Sequence, residues 1–337
     1  MVATLLITIL MKQRWNIKMA VRVWLILVVL LSGAWLANAA SAPPLYTQVA
    51  GGEEALEVGK PTSVNRLALE KGLRWEALVR SCGLKKPYKL KPGMVIKVNN
   101  THIVPGELQD GLVINLPELN LYRFQRGSYL RRYALAVGKP SWPTPTGTYE
   151  IYEKRKNPIW NVPPSIQEEM EERGQDVVEK VPPGPKNPLG KFWLGTTAAG
   201  VGIHATNRPW SVGYSVSHGC IRMLPGEIEQ LFPEIEVGTP VKIIYRPIKL
   251  ALTPQGRVYL EANPNIYQWE LKSLEWVQDM AEYYHITDRI DWDKVRPILK
   301  ARDGIARDIT KDPGVPAAGA PKEVRLLPLH GNEAKLK

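Results

Sequence analysis

Residues 107–247 carry the pattern that most constrains the fold, a series of short strand-like runs with few helical patterns. The runs lie at residues 112–116, 120–126, 129–137, 147–154, 192–196, 201–206 and 240–245. Short strands separated by turn residues are typical of a β-sandwich or a barrel. We therefore predict a mainly β domain over this segment, in which the two runs on either side of Gly127 and Ser128 pair as neighbours.

Near the end of this segment, residues 217–222 read Ser-His-Gly-Cys-Ile-Arg, and His204 lies sixteen residues before the cysteine. A free thiol titrates at about 8.5, so Cys220 needs a base or a positive neighbour to act as a nucleophile near neutral pH. Gly219 allows a substrate carbonyl to approach the backbone, where N–H groups stabilise an oxyanion. His204 and His218 are both candidates for the base, and their spacing alone does not choose between them.

The residues after the cysteine predict a helix that begins at Pro225. We expect the thiol to lie just before this helix, whose dipole, together with Arg222, favours the thiolate. Two structural alternatives exist for the cysteine. A zinc site would use His204, His218 and Cys220 but lacks a fourth ligand, and a disulfide would require Cys82 and Cys220 to meet. We expect no metal and no cofactor.

The spacing of His204 and the hexapeptide closely resembles the signature of the L,D-transpeptidases with a YkuD-type catalytic domain. Residues 143–149 (PTPTGTY) and 187–190 (NPLG) resemble runs of its periplasmic ErfK/YbiS-like group. The resemblance implies a β-sandwich catalytic domain over residues 107–247, with Cys220 as nucleophile and His204 as proton donor and acceptor. It also implies an oxyanion and substrate site formed by Ser217, His218, Gly219 and Arg222. Ala205 departs from the family pattern, in which many relatives have glycine.

The resemblance further implies a two-step acyl transfer on peptidoglycan. Cys220 attacks the bond between the diamino acid and the terminal D-alanine of a tetrapeptide stem and forms a thioester. The acyl group then passes from the thioester to an amine. A second stem gives a 3–3 cross-link, a lysine of an outer-membrane lipoprotein gives a tethered protein, and water makes the enzyme an L,D-carboxypeptidase. The alternatives are a non-catalytic peptidoglycan-binding protein and a cysteine hydrolase of other peptides, for which Asn207 is the candidate orienting residue.

The N-terminus has the order of a secretory signal over residues 1–39. Four cations, at positions 12, 14, 18 and 22, precede an apolar run over residues 23–36 and the small residues 37–39. The run is shorter than the roughly 20 residues that span a bilayer, so we predict cleavage and a periplasmic protein, with an uncleaved inner-membrane anchor as the alternative. Cleavage lowers the net charge from +11 to about +7. The remaining cations are scattered, which argues against nucleic-acid binding.

Residues 43–105 resemble a LysM module in the runs VNRLALEKGLRWEALVRSCGL and YKLKPGMVIKV. That family has a βααβ fold and binds glycan chains of peptidoglycan or chitin. The beginning, Gly-Gly-Glu-Glu at 51–54, departs from the family turn, so a spacer domain without a ligand is the alternative. Cys82 is predicted to be a small core residue.

Three further segments complete the prediction. The proline-rich stretch 158–188, with a charged helical piece at 165–172, is either a substrate-covering flap or a solvated excursion. Residues 248–312 form an extension with helices that packs on the preceding domain; its second helix spans 292–306 with Asp291 as N-cap. The tail, residues 313–337, is predicted to be disordered.

Overall fold

The computed structural model describes residues 43–85 and 88–311, so the predicted signal segment 1–39 and the tail 313–337 lie outside the described residues. None of the helices described within these ranges is both long and apolar enough to cross a bilayer. The α-helices are α1 (Val64–Glu70), α2 (Trp75–Ser81), α3 (Pro164–Glu172), α4 (Pro225–Leu231), α5 (Ser273–Tyr283) and α6 (Trp292–Ala301). Short 3-10 helices lie at Leu116–Glu118, Pro209–Ser211, Phe232–Glu234 and Thr287–Arg289.

A small N-terminal unit packs α1 and α2 against short antiparallel strand pairs. Its strands are β1 (Val49–Ala50), β2 (Glu53–Glu57), β3 (Thr62–Ser63), β4 (Lys89–Leu90), β5 (Val95–Asn99) and β6 (His102–Ile103). β2 pairs with β5, β3 with β4 and β1 with β6, and the two helices lie between β3 and β4. Ser63 caps α1 by accepting a hydrogen bond from the Arg66 N–H. The observed order is strand, helix, helix, strand, and its assignment as a LysM module stays a prediction.

Cys82, at the C-terminal end of α2, is half-buried and packs against the core of this small unit. Its Sγ lies 3.1 Å from the Lys97 carbonyl oxygen. Cys82 and Cys220 are both free thiols, so the alternative of a disulfide between them is not the arrangement in the structure.

Apart from the stretch 158–188 and α4, the large central domain is built mainly from strands. They are β7 (Gly111–Asn115), β8 (Asn120–Gln125), β9 (Ser128–Gly138), β10 (Gly147–Lys156), β11 (Trp160–Asn161), β12 (Lys180–Val181), β13 (Phe192–Thr196), β14 (Gly202–His204), β15 (Ser215–Ser217), β16 (Ile221–Met223) and β17 (Pro240–Ile244). β11 and β12 form a separate hairpin inside the 158–188 stretch, and the other nine strands of this described region form the main sheet system.

The long strands β9 and β10 each run through two layers and join them into a mainly β sandwich. In one layer the order is β9, β8, β7, β17 and β10; in the other it is β9, β16, β14, β13 and β10. β10 changes partner from β17 to β13 at an irregularity between Ile151 and Glu153. Side chains from both layers, among them Leu112, Leu194 and Ile221, share one fully buried core.

The predicted pairing across Gly127 and Ser128 is confirmed by the β8–β9 hairpin, in which Asn120 faces Ala134 and Gln125 faces Ser128. Its turn is formed by Arg126 and Gly127, which adopt φ values of +50° and +76°. Two consecutive positive φ values match the right-handed twist of the flanking strands, and glycine adopts such a value without steric cost.

The C-terminal extension contains a sheet as well as the predicted helices. β18 (Ile248–Leu252), β19 (Val258–Ala262) and β20 (Arg307–Asp308) pair antiparallel, and α5 and α6 pack against them. Asp291 caps α6 as predicted, because its side chain accepts from the Asp293 N–H. The helix ends at Ala301 rather than at residue 306, since Arg302 turns the chain with a left-handed φ of +45°.

A buried charge cluster ties the extension to the rest of the chain. Lys249 Nζ, in a fully buried side chain, lies 2.7 Å from Glu118 Oε1 of the central domain and 3.1 Å from Glu261 Oε1 of β19. It also donates to the carbonyl of Ile103 in β6 of the small unit, and the Ile103 N–H donates to Glu261. Burial raises the pKa of Glu261, and the Lys249 charge opposes that rise.

Candidate active site

The register of β14 and β16 places the two principal sequence-predicted residues on one face of the sheet. These strands run parallel, with Ile203 opposite Ile221 and His204 opposite Arg222. Ile203 and Ile221 are fully buried in the sandwich core. Because successive side chains of a strand alternate between faces, His204 and Cys220 project from the other face. The structure therefore places the predicted base at the end of β14 and the predicted nucleophile immediately before the adjacent strand β16.

His204 is almost completely buried, and its ring is oriented by backbone carbonyls rather than by a carboxylate or amide side chain. Its Nδ1 lies 2.5 Å from the Ala205 carbonyl oxygen, and the Leu189 carbonyl also interacts with the ring. An Nδ1 proton donated to Ala205 leaves Nε2 as the acceptor, a tautomer inferred from the hydrogen bonding. The Trp193 ring stacks on the imidazole at 5.8 Å. Burial lowers the pKa of His204 to about 4, and the Arg222 charge acts in the same direction.

Cys220 lies immediately before β16, which corrects the expectation that a helix N-terminus follows the thiol. Three strand residues, Ile221–Met223, intervene, and α4 begins only at Pro225. The thiol therefore lacks the helix dipole, and burial raises its pKa, although the Gly202 backbone and the Arg222 charge oppose this. In the structure Cys220 Sγ donates towards the Gly200 carbonyl at 3.4 Å. The pKa shifts of Cys220 and His204 favour the neutral thiol and the neutral imidazole near pH 7.

The turn before Cys220 is held by hydrogen bonds to its carbonyl groups. Gly219 has a φ of +102°, which glycine adopts more readily than any other residue. Its carbonyl accepts a hydrogen bond from Thr144 Oγ1 at 2.8 Å, and Ser217 Oγ donates to the Cys220 carbonyl at 2.5 Å. Gly219 and Ser217 thus shape the backbone around Cys220, and the hydroxyl of the buried Ser217 donates to the carbonyl of that turn.

Arg222 lies beside His204 on the same face and forms part of a basic corner. Its Nη1 lies 3.3 Å from Ser211 Oγ. Burial lowers the pKa of Arg222, and the nearby charge of Arg208 lowers it further. Two guanidinium groups in one place favour an anionic ligand, and a carboxylate suits their planar geometry. Sequence reasoning identified Arg222 but missed Arg208, which lies in the loop between the two motif residues.

His218 faces the 158–188 insertion. Its Nε2 lies 2.7 Å from Glu169 Oε1 of α3, and Lys139 Nζ lies 3.2 Å from the same oxygen. The hydrogen bonds from His218 and Lys139 lower the pKa of Glu169 to about 2. The ring of Trp142 lies 5.5 Å from the His218 ring. His218 therefore joins the insertion to the motif, a contact that the sequence did not reveal.

The buried side-chain amide of Asn187 helps to close the base of the insertion. Asn187 Nδ2 donates to the Pro158 carbonyl at 2.8 Å, and its Oδ1 accepts from the Leu189 N–H at 2.9 Å. This places the NPLG run between the insertion and His204. Asn207, the candidate third residue of a hydrolase triad, instead donates to the Lys186 carbonyl at 3.1 Å and belongs to the same anchoring region.

Comparison with known proteins gives the same assignment for the central domain. A family model, the YkuD L,D-transpeptidase catalytic domain, matches residues 109–243. This domain belongs to the YkuD family of L,D-transpeptidase catalytic domains. The match begins within two residues of the predicted start and contains all the residues that carried the resemblance in the sequence.

Curated relatives of the L,D-transpeptidase domain carry related names. The probable L,D-transpeptidase ErfK/SrfK of Salmonella typhimurium is 28% identical over 228 residues, covering 65% of this chain and 73% of the relative. The probable L,D-transpeptidase YbiS of Escherichia coli is 32% identical over 177 residues, covering 51% of this chain and 57% of the relative. The solved catalytic domain of an Enterococcus faecium L,D-transpeptidase is 23% identical, with a TM-score of 0.33, and covers 41% of this chain and 100% of that domain. The chain thus spans just over half of YbiS.

Proposed function

We propose that this protein is a periplasmic L,D-transpeptidase that remodels peptidoglycan through a Cys220 thioester. The observation that carries the proposal is the shared face of His204 and Cys220, with the His204 ring oriented by the Ala205 carbonyl so that Nε2 is left to accept a proton. The acyl donor is a tetrapeptide stem that ends in a diamino acid and D-alanine. The family of the domain and the names of its relatives support this donor.

The neutral resting state defines how the first step proceeds. Cys220 sulfur forms a bond with the diamino acid carbonyl carbon while its proton passes to His204 Nε2. Backbone N–H groups at the Gly219 turn stabilise the oxyanion. The bond to D-alanine nitrogen then breaks, and His204 returns the proton to the leaving amine. The products of this step are a thioester on Cys220 and free D-alanine.

In the second step an amine replaces D-alanine. The acceptor nitrogen attacks the thioester carbonyl, and its proton passes through His204 to the departing Cys220 sulfur, which regenerates the thiol. A diamino acid of a second stem yields a 3–3 cross-link, and a lysine of an outer-membrane lipoprotein yields a tethered protein. Hydrolysis by water is the third outcome and would make the protein an L,D-carboxypeptidase.

Three accessory roles belong to the same proposal. The basic corner of Arg222 and Arg208 binds a carboxylate of the donor stem. The insertion is a flap over the substrate, supported by the contact of Glu169 with His218. The small N-terminal unit is a LysM-like module that binds the glycan chain; sedimentation of the Cys220→Ala protein with purified peptidoglycan tests this without covalent capture.

The central experiment follows the covalent intermediate. Purified protein without residues 1–39 is incubated with tetrapeptide-stem fragments, and intact-mass spectrometry measures the adduct on Cys220 and the release of D-alanine. We expect the adduct in the native protein, its loss in Cys220→Ala, and cross-linked dimers when a second stem is the acceptor. Absence of the adduct in the native protein, or unchanged turnover in Cys220→Ala, would overturn the proposal.

A further inference from the structure

The C-terminal extension contributes one side chain to the support of the active-site turn. Tyr267 lies outside the segment that matches the L,D-transpeptidase domain, yet it is buried in the core of that domain together with Val137 and Ile151. Its hydroxyl oxygen accepts a hydrogen bond from the Thr144 N–H at 3.0 Å. The extension therefore contacts the loop that follows β9 through the hydroxyl oxygen of Tyr267.

Thr144 transmits this contact to the turn before the nucleophile. The residue is almost completely buried, and its Oγ1 donates to the Gly219 carbonyl at 2.8 Å while accepting from the Gly138 N–H at 2.9 Å. Thr144 thus connects Tyr267, through its N–H, to Gly219 and Gly138, through its hydroxyl. Removal of the Tyr267 hydroxyl leaves the buried Thr144 N–H without its acceptor, which favours movement of the loop.

The Gly219 carbonyl and the Cys220 N–H belong to one planar peptide group. In a trans peptide these two groups point in opposite directions, so a hydrogen bond that holds the carbonyl also sets the direction of the N–H. Thr144 holds the carbonyl on the buried side of the turn. The Cys220 N–H is consequently directed to the opposite side, where an oxyanion that develops next to the sulfur needs a donor.

Tyr267 is itself held in place. Its N–H donates to the Tyr245 hydroxyl at 2.9 Å, and that hydroxyl donates to Asn265 Oδ1 at 2.6 Å. The rings of Tyr245 and Tyr267 stack at 5.3 Å, and Trp269 packs against both. A phenol on so constrained a turn has little freedom to follow the loop if the loop moves. It acts as a fixed point for Thr144.

From this chain of contacts we infer that Tyr267 is a positioning residue for acyl transfer, acting through Thr144 on the Gly219–Cys220 peptide that provides an oxyanion donor. The extension is accordingly part of the catalytic apparatus. This inference rests on the proposed function, because it assigns a role in the same reaction.

Two reactions of Cys220 separate positioning of the oxyanion donor from general damage to the fold. Acylation by a carbapenem passes through a tetrahedral oxyanion, whereas alkylation by iodoacetamide displaces iodide and forms no oxyanion. For Tyr267→Phe we expect the acylation rate to fall about 10- to 100-fold, because loss of one oxyanion donor costs about 10²–10³ and a displaced donor costs less. The alkylation rate is expected to stay within about twofold of the native rate.

Tyr46→Phe is the matched control. Tyr46 is also buried, and its hydroxyl donates to Glu107 at 2.7 Å in a different core cluster. The control loses a buried tyrosine hydrogen bond without touching Thr144, so we expect both rates to stay native. Thr144→Ser retains the hydroxyl and is expected to keep most of the acylation rate, while Thr144→Val is expected to lose it as Tyr267→Phe does.

The outcomes are distinguishable. If the native protein is not acylated although Cys220 is alkylated, the proposed function fails. If the native protein is acylated and Tyr267→Phe matches it, or if its acylation and alkylation fall in the same proportion, the inference alone is overturned. Should Tyr267→Phe fail to fold, 3,5-difluorotyrosine at position 267 weakens the acceptor without removing it; native acylation in that folded protein would equally overturn the inference.

Discussion

Replacement of Gly219 by alanine tests the conformation of the turn that precedes the nucleophile. An added Cβ at this position has its nearest neighbour, the Pro143 carbonyl oxygen, at 3.9 Å, so no clash occurs. The cost is therefore conformational, since an L-residue in a left-handed conformation loses about 1–2 kcal/mol. That free energy corresponds to a factor of about 5–30 in the population of the native turn. We expect the acylation rate of Gly219→Ala to fall by this factor.

The assay is the rate at which a carbapenem acylates Cys220, measured together with the urea unfolding midpoint. Gly226→Ala is the matched control, because Gly226 lies in α4 without a positive φ and an added Cβ there has no neighbour within 4 Å. We expect the control to be acylated at the native rate and to be as stable as the native protein or more so. Acylation of Gly219→Ala within twofold of native would refute the argument that the positive φ at this turn is needed for catalysis.

Three other predictions concern charge. Arg222→Gln removes a charge that lowers the pKa of His204, so the fall in acylation rate on the acid side, centred near pH 4 in the native protein, moves to higher pH; a pH–rate profile measures it. Glu169→Gln weakens the hold of the insertion on the motif, so we expect faster tryptic cleavage within residues 171–180. Lys249→Ala leaves buried carboxylates unpaired, so we expect it to lower the free energy of unfolding by about 3–5 kcal/mol. For Lys91→Ala, which changes an exposed lysine, we expect a decrease of less than about 0.5 kcal/mol. Urea unfolding measures both.

Each of these results has a contrary outcome. If the acylation rate of Arg222→Gln falls at the same acidic pH as that of the native protein, a group other than His204 controls this fall. For the insertion, Glu171→Gln changes an exposed carboxylate on the same helix, and equal cleavage rates in the two variants would contradict a specific role for Glu169. If Lys249→Ala lowers the free energy of unfolding no more than Lys91→Ala does, the buried cluster does not stabilise the fold.

Local patterns predicted much of the architecture because the residues that interact in these elements are close together in the sequence. The hairpin around Gly127 forms from a turn that glycine favours, and Asp291 caps α6 through its neighbour Asp293. The same reasoning failed for Cys220, since Pro225 does begin a helix but three residues of strand separate it from the thiol. Proximity in sequence does not place the thiol at the helix terminus, so the predicted lowering of the Cys220 pKa is wrong, and burial raises it instead.

The contacts that sequence reasoning missed join distant segments. Thr144 and Tyr267 are 123 residues apart, and Glu169 and His218 are 49 apart. No periodicity relates such residues, and each is unremarkable in its own segment: a threonine between prolines, a tyrosine in a loop and a glutamate on a charged helix. They come together through tertiary contacts, because Tyr267 lies in the extension after β19 and Glu169 lies in the insertion after β10.

The buried Lys249 cluster has a consequence for the order in which the chain is made. Glu118 emerges early in synthesis, whereas its partner Lys249 and the neighbouring Glu261 emerge more than a hundred residues later. Until then the central sheets hold a carboxylate that has no buried cation to compensate it, and the native packing around it is unfavourable. We therefore expect the native packing around Glu118 to be completed only after β19 has been synthesised, and a chain that stops at the end of β17 to be less stable than one that contains β18 and β19.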